Sequence, residues 1–378
     1  MGQPMLRRVL RSGIPVRGLF DAAGTGAAAM GRGRRKGPAP PSPDDGVPMT
    51  IRVGVIGTGL AAQSHALDIV TDPSMDLLGV VSAHRDSATR FADMFGGKAY
   101  PNVEALITDT AVDTIVVAVP PTAVFDIAEL IPADTPCLIE KPVPVTSSER
   151  RRLASLAECR PRMVAPFNRR YQPSIQRAVR LLQSGALGRV VDVDAVFRGP
   201  YGTRFAPGSG TYRSAAGPRH GVLVDTGSHA LDLISLLLGA LPSPNTLRSN
   251  LIRNERGAEI SAELECSGTT ATRITVSDDA AASDRGYWSA TVACEDGQVE
   301  VTDHGNLIRP KGSRQPQAQA AEPMRRPVTD LALILEGTAP FGTPLADVLT
   351  IGDVIIAAHR TEWIRPRGKA LGRLNGSC

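Results

Sequence analysis

Aromatic residues are scarce in this chain of 378 residues, at 4%. A wide base-stacking surface for nucleic acid is therefore not expected. Cysteine is sparse too, with five residues set far apart (Cys137, Cys159, Cys266, Cys294 and Cys378). No CxxC pair and no Cys/His cluster has metal-site spacing, and scattered thiols fit a reducing compartment, the cytoplasm. Long apolar runs are missing. The longest, near Leu231–Leu241, is short and interrupted, so no membrane span is expected. The formal net charge is +4, yet residues 1–48 hold eight basic and three acidic residues. The remainder is close to neutral and gives no electrostatic case for nucleic acid or a membrane surface.

What is present is ordinary for a globular protein: 42% hydrophobic and 21% charged residues. The length suggests two domains. Residues 1–49, rich in Gly, Ala, Arg and Pro, read as a disordered basic extension. Arg7-Arg8 resembles a twin-arginine export start, but Arg17 and Asp21 interrupt the apolar region; a transit peptide is another reading. The preferred reading is a dispensable extension, with "MTIRVGVIGTGL" from Met49 opening the folded protein.

The clearest local signal is "IRVGVIGTGLAAQSHALDIV". Ile51–Ile56 is apolar and β-branched, as a buried parallel strand requires. Gly57-Thr58-Gly59 follows, then a helix pattern from about Leu60, with Ala62 where a third glycine often stands. Strand, glycine turn and helix are in the order of a dinucleotide site. The glycines let the backbone approach a pyrophosphate, and the helix N-terminus supplies N–H groups and a positive dipole. Gly57, Thr58, Gly59, Leu60 and Ala61 are therefore cofactor-binding candidates.

Strand and helix patterns then alternate. "MDLLGVVSAH" is a strand ending near Ser82, and "RDSATRFADMFG" is a helix with Gly96 past its end. "VDTIVVAVP" (Val112–Pro120), the helix "AVFDIAELI" and the strand "TPCLIEKP" (Thr135–Pro142) follow. This is the pattern of a doubly wound parallel sheet, whose ligands bind beyond the carboxyl ends of the strands. Gly57, Ser82, Pro120, Glu140 and Lys141 all fall at such ends. An acid after the second strand would select NAD, but this chain has Ser82-Ala83-His84-Arg85. Ser82 with Arg85 or His84 would suit the 2′-phosphate of NADP, so the cofactor is NAD or NADP, with a lean to NADP.

The second half changes character. "GRVVDVDAVF", "ISAELECSG", "ATRITVSD", "YWSATVACEDGQVEVTD" and "GNLIRP" read as strands of an antiparallel-rich sheet. Residues 198–212 form a Gly/Pro-rich loop in which Tyr201 and Arg204 are substrate-contact candidates. "KGSRQPQAQAAEPMRRP" reads as a surface loop and "PLADVLTIGDVIIAAHRTEW" as a closing helix. "GVLVDTGSHALDLISLLLG" (Gly221–Gly239) reads as an apolar helix broken by polar residues near its start. Asp225, His229 and Asp232 are spaced i, i+4 and i+7, which places them on one helix face. Asp232 is read as structural; Arg219 and His220, just before the helix, are further contact candidates.

Taken together, GTG at Gly57–Gly59, EKP at Glu140–Pro142, "DTGSHALDL" from Asp225 and "VAPFNRRYQPSIQRAVRLLQSGALGRV" (Val164–Val190) resemble the Gfo/Idh/MocA oxidoreductases. The resemblance spans roughly Thr50 to Trp363. It implies a Rossmann domain over 50–165. An α/β domain with a large open, mostly antiparallel sheet would follow over 166–363, then a loose tail over 364–378. It also implies that Lys141, Asp225 and His229 are catalytic, and that Asn168 and Arg169 lie near the nicotinamide or the substrate. Val124 departs from the pattern, standing where the family often has a histidine.

The chemistry is coherent. Alcohol oxidation removes a hydride from carbon and a proton from oxygen, and a nicotinamide accepts the hydride. His229 would be the general base, since imidazole titrates near neutrality. Asp225 would orient it or bond a substrate hydroxyl, and Lys141 would stabilise developing alkoxide charge. The expectation is an NAD(P)-dependent oxidoreductase acting on a polyol, sugar or related hydroxy or carbonyl compound. It would be a cytoplasmic homodimer or homotetramer with no metal and no nucleic-acid or membrane partner. A non-catalytic NAD(P)-binding regulator and an NAD-assisted glycosidase or lyase are the alternatives.

Overall fold

The computed structural model describes residues 50–109, 111–141, 143–199, 221–255, 257–278 and 286–361. The expected terminal extension and tail, Pro142, and the candidates Tyr201, Arg204, Arg219 and His220 lie outside the described residues. The chain forms two compact units. One contains the described residues of 50–141 together with Arg152–Asn168 and Arg325–Ala346; the other contains the remaining described residues.

The first unit opens with β1 (Ile51–Ile56), α1 (Leu60–Val70), β2 (Met75–Val81), α2 (Arg85–Phe95) and β3 (Lys98–Ala99). It continues with α3 (Val103–Ile107), β4 (Thr114–Val117), α4 (Val124–Leu130) and β5 (Cys137–Ile139), and after α5 (Ser147–Cys159) adds β6 (Met163–Ala165). These strands form a parallel sheet in the order β6-β5-β4-β1-β2-β3. The sequence order reverses between β1 and β4, the switch point where doubly wound sheets open a crevice. Val53, Val55, Leu77, Val80, Val116 and Leu138 are buried in one cluster with Ala62, Ala66, Phe91 and Phe95 from α1 and α2. Helix cover on the sheet is why these strands read as continuous apolar runs.

The second unit contains α6 (Pro173–Gln183), β7 (Val190–Gly199), a π-helical turn (Leu223–Gly227) and α7 (Ser228–Leu238). Then come β8 (Leu247–Arg253), β9 (Glu259–Cys266), β10 (Ala271–Asp278), β11 (Tyr287–Cys294), β12 (Gly297–Thr302), β13 (Gly305–Pro310) and β14 (Gln317–Ala320). The sheet order is β14-β13-β12-β11-β7-β10-β9-β8. It is antiparallel throughout except for the β7–β10 pair. Val193, Ala195 and Phe197 alternate inward along β7, the period of a half-buried strand.

The chain then returns to the first unit with α8 (Thr329–Leu335) and β15 (Thr343–Pro344). β15 joins β6 antiparallel at the edge of the parallel sheet. The last element among the described residues is α9 (Leu345–Arg360), where the closing helix is expected.

Two expectations are corrected. Residues 311–327 are not wholly a loop, because Gln317–Ala320 pairs with β13 as an edge strand. Its side chains are mostly exposed, so backbone bonding and not apolar alternation makes it a strand. The segment from Gly221 is not one continuous α-helix, because the π-helical turn precedes α7. Among the described residues no helix is long and apolar enough to cross a membrane, no group of side chains could hold a metal ion, and Cys137, Cys159, Cys266 and Cys294 are free thiols.

Candidate active site

In the first unit the glycine turn follows β1 directly. Gly57 has φ 114, a conformation that favours glycine, and a Cβ there would lie 2.2 Å from the Ala118 carbonyl oxygen. Thr58 and Ser82 meet through their hydroxyls at 3.2 Å, tying the turn to the end of β2. Gln63 Nε2 donates to the Thr58 carbonyl at 3.2 Å. Gly59 caps α1, but no side chain caps the helix, and a Cβ at Gly59 would meet nothing within 4 Å. The start of α1 is thus open. Leu60 is 61% exposed, and Ala61 beside it is exposed as well.

This geometry fits a dinucleotide. Four backbone N–H groups at a helix start lack intrahelical partners. Here they carry no side-chain cap, and the space beside Gly59 is open, which suits a pyrophosphate. Ser82 is half-buried at the end of β2, while Arg85 is exposed on the first turn of α2. Arg90, one further turn along, donates to Ser87 Oγ at 3.2 Å and lines a cavity of about 210 Å³ with Thr58 and Gln63. Pro120 is exposed past the end of β4.

Glu140 and Lys141 follow β5. The Glu140 N–H donates to the Val117 carbonyl at 2.8 Å, so pairing with β4 extends one residue past the strand. The Glu140 carboxylate accepts from His65 Nε2 of α1 at 3.1 Å. Burial pushes this carboxyl up, but the His65 hydrogen bond and the neighbouring Lys141 charge outweigh it and hold it below its usual range. His65 was not among the sequence candidates. Its only trace in the sequence is a polar residue at a helix position flanked by buried Ala62, Ala66 and Ile69.

In the second unit, Asp225 lies in the π-helical turn and His229 in the first turn of α7. From Gly221 to Ser235 every residue is buried except these two. The leucines anchor the helix, and Asp225 and His229 are the positions left accessible. A π-turn repositions side chains by a local widening of the helix, a device common at functional sites.

Asp232, read as structural, is enclosed where Asp225 and His229 are not. It is buried and accepts from Arg170 Nε at 2.8 Å. Arg170 belongs to a short 3-10 turn, Asn168–Tyr171, opened by the exposed Asn168. Between them stands Arg169, whose guanidinium lies 4.6 Å from the Phe197 ring centre and 4.7 Å from that of Trp288. Phe197 and Trp288 are paired across β7 and β11 and stacked with centres 5.8 Å apart. The cation thus lies within cation–π distance of two rings. Beneath the helix start, Gly221 packs on the buried Glu259, which bonds His359 at 2.9 Å. A Cβ at Gly221 would press on the Glu259 carboxylate and lie 2.7 Å from the Glu259 backbone nitrogen, so any larger residue forces the segment to shift.

Two family models match the chain. An oxidoreductase family with an NAD-binding Rossmann fold matches residues 51–167, and a GFO/IDH/MocA C-terminal domain matches residues 175–300. Among curated relatives, inositol 2-dehydrogenase 2 of Saccharopolyspora erythraea is 30% identical over 196 residues, covering 50% of this chain and 55% of the relative. Glucose-6-phosphate 3-dehydrogenase of Bacillus subtilis is 26% identical over 212 residues, covering 55% of this chain and 59% of the relative. The chain thus spans little more than half the length of these curated relatives. Among solved structures, GenD2 from gentamicin A biosynthesis, in complex with NAD, matches with a TM-score of 0.67 at 23% identity, covering 86% of this chain and 97% of that one. Levoglucosan dehydrogenase with NADH and levoglucosan matches with a TM-score of 0.69 at 16% identity, covering 82% and 96%. At these identities the structural matches establish the fold.

Proposed function

This chain belongs to the Gfo/Idh/MocA oxidoreductase family, and from that premise we propose that it is an NAD(P)-dependent oxidoreductase acting on CH–OH groups. It transfers a hydride between nicotinamide and a polyol, sugar or related hydroxy or carbonyl compound. The observation that carries this reading is the exposure pattern of Gly221–Ser235, where Asp225 and His229 alone escape burial. Relatives named as inositol and sugar-phosphate dehydrogenases support the substrate class.

The bound cofactor would supply the hydride acceptor or donor. The protein does the rest. His229 takes the hydroxyl proton in the oxidative direction and returns it in the reductive one. Asp225 orients the imidazole or bonds a substrate hydroxyl, and Lys141 hydrogen-bonds the reacting oxygen. Asn168 and Arg169 contact the nicotinamide or the substrate. Gly57, Thr58, Gly59, Leu60 and Ala61 hold the pyrophosphate, flanked by Pro120 and Glu140. Ser82 and Arg85 favour NADP over NAD because no acid stands at the end of β2 to repel a 2′-phosphate. The enzyme works in the cytoplasm as a homodimer or homotetramer.

The test is a fluorescence titration of the purified chain with NADH and NADPH, followed by a polyol and sugar screen read by nicotinamide absorbance. Binding with turnover supports the reading. Binding without turnover of any substrate favours a regulator, and failure to bind either nucleotide overturns the proposal.

A further inference from the structure

We propose that His65 is a positioning residue: by holding the Glu140 carboxylate against α1, it sets the backbone that presents Lys141. The inference rests on the oxidoreductase reading for the role of Lys141, but its geometry stands within one unit of the fold.

His65 is 6% exposed and sits among the buried apolar residues of α1. A buried imidazole is costly unless it is hydrogen-bonded, and an alanine or leucine would fill this helix face without that cost. The imidazole bonds a residue 75 positions away, at 3.1 Å. An ionised carboxylate only accepts, so Nε2 donates. Nδ1 is buried with no hydrogen-bond partner. The imidazole therefore spends its one polar contact on Glu140.

That contact bears on Lys141 through backbone geometry. Glu140 continues the pairing of β5 with β4 through its N–H, so it is still part of an extended strand. Successive side chains of extended backbone point to opposite faces of a sheet. Holding Glu140 against α1 therefore turns Lys141 to the other face. Releasing Glu140 frees the peptide that carries the lysine. The ionised Glu140 also lies close enough to Lys141 for their charges to interact.

The test uses His65→Leu and His65→Gln in the full chain; the Gln amide restores a donor near the position of Nε2. The first readout is the rate at which trace acetic anhydride acetylates Lys141, followed by peptide mass spectrometry, which needs no cofactor and no turnover. The second is steady-state kinetics with the cofactor Kd measured by fluorescence. His65→Leu is expected to change the acetylation rate at least about threefold and to lower kcat about tenfold, with KM and cofactor Kd nearly unchanged. His65→Gln is expected to recover most of both. A wild-type acetylation rate in His65→Leu, or a Gln variant as impaired as the Leu variant, overturns the proposal. If His65→Leu does not fold, Glu140→Ala, which removes the acceptor, is read by the same acetylation rate, and no change there also overturns it. A wild-type protein without turnover overturns the enzyme reading and leaves the acetylation result to decide the role of His65.

Discussion

Arg170 and Asp232 form a buried ion pair, with Nε 2.8 Å from Oδ1 and 3.1 Å from Oδ2 and side chains 9% and 1% exposed. The pair ties the Asn168–Tyr171 turn to α7 one helical turn beyond His229. It thereby fixes the segment carrying Arg169 relative to the segment carrying the proposed base. Removing Asp232 leaves the buried Arg170 guanidinium with only the more distant, half-exposed Asp347 carboxylate at 3.8 Å. Asp232→Ala should destabilise the protein by about 3–5 kcal/mol, read by urea denaturation. Replacing both partners with apolar residues should cost far less, and a double variant as unstable as Asp232→Ala would show that the loss is not electrostatic.

Gly57→Ala should be damaging for a reason unrelated to side-chain chemistry. The residue has φ 114, and an added Cβ would meet the Ala118 carbonyl oxygen at 2.2 Å. The turn must shift, at a cost of about 1–3 kcal/mol, and the backbone N–H groups at the start of α1 shift with it. Urea denaturation and cofactor titration should both register the change.

Cofactor choice should respond to Arg85. Arg85→Ala is expected to weaken NADPH binding about tenfold, or about 1.4 kcal/mol, while NADH binding stays the same. Ser82→Asp should reverse the preference by placing a carboxylate against the 2′-phosphate. Equal loss of both nucleotides in Arg85→Ala would remove that arginine from the selectivity argument.

Stability should fall at acid pH in part through Asp113. Its carboxyl accepts from the Arg52 guanidinium at 2.9 and 3.0 Å and from the Arg52 backbone at 2.8 Å. These bonds hold it below the ordinary carboxylate range despite partial burial. A carboxyl depressed in the folded state binds fewer protons there than in the unfolded state. Its contribution is therefore complete above an ordinary Asp value of about 3.9 and is lost as pH falls below it. The urea midpoint of Asp113→Asn should depend less on pH in that window than the wild type.

Much of the nucleotide-binding half was legible in the sequence because buried parallel strands leave continuous apolar runs and their turns need glycine. Ile51–Ile56, Gly57–Gly59 and the helix from Leu60 follow from those demands alone. Asp225 and His229 were legible as polar breaks in an apolar helix. The π-helical turn beneath Asp225 was not, because an added backbone residue leaves no mark in composition. The His65–Glu140 and Arg170–Asp232 pairs join residues 75 and 62 positions apart, a separation that no local pattern encodes. β14 escaped for the opposite reason: Gln317–Ala320 has no apolar alternation, and its order comes from pairing with β13.

The most direct test of the account is the kcat of His229→Ala, measured on the best substrate from the screen with cofactor saturating. kcat should fall by about 10²–10⁴, the usual contribution of a general base, with nicotinamide affinity retained. A variant that turns over at the wild-type rate would contradict it, since no other accessible residue of Gly221–Ser235 except Asp225 remains to take the proton.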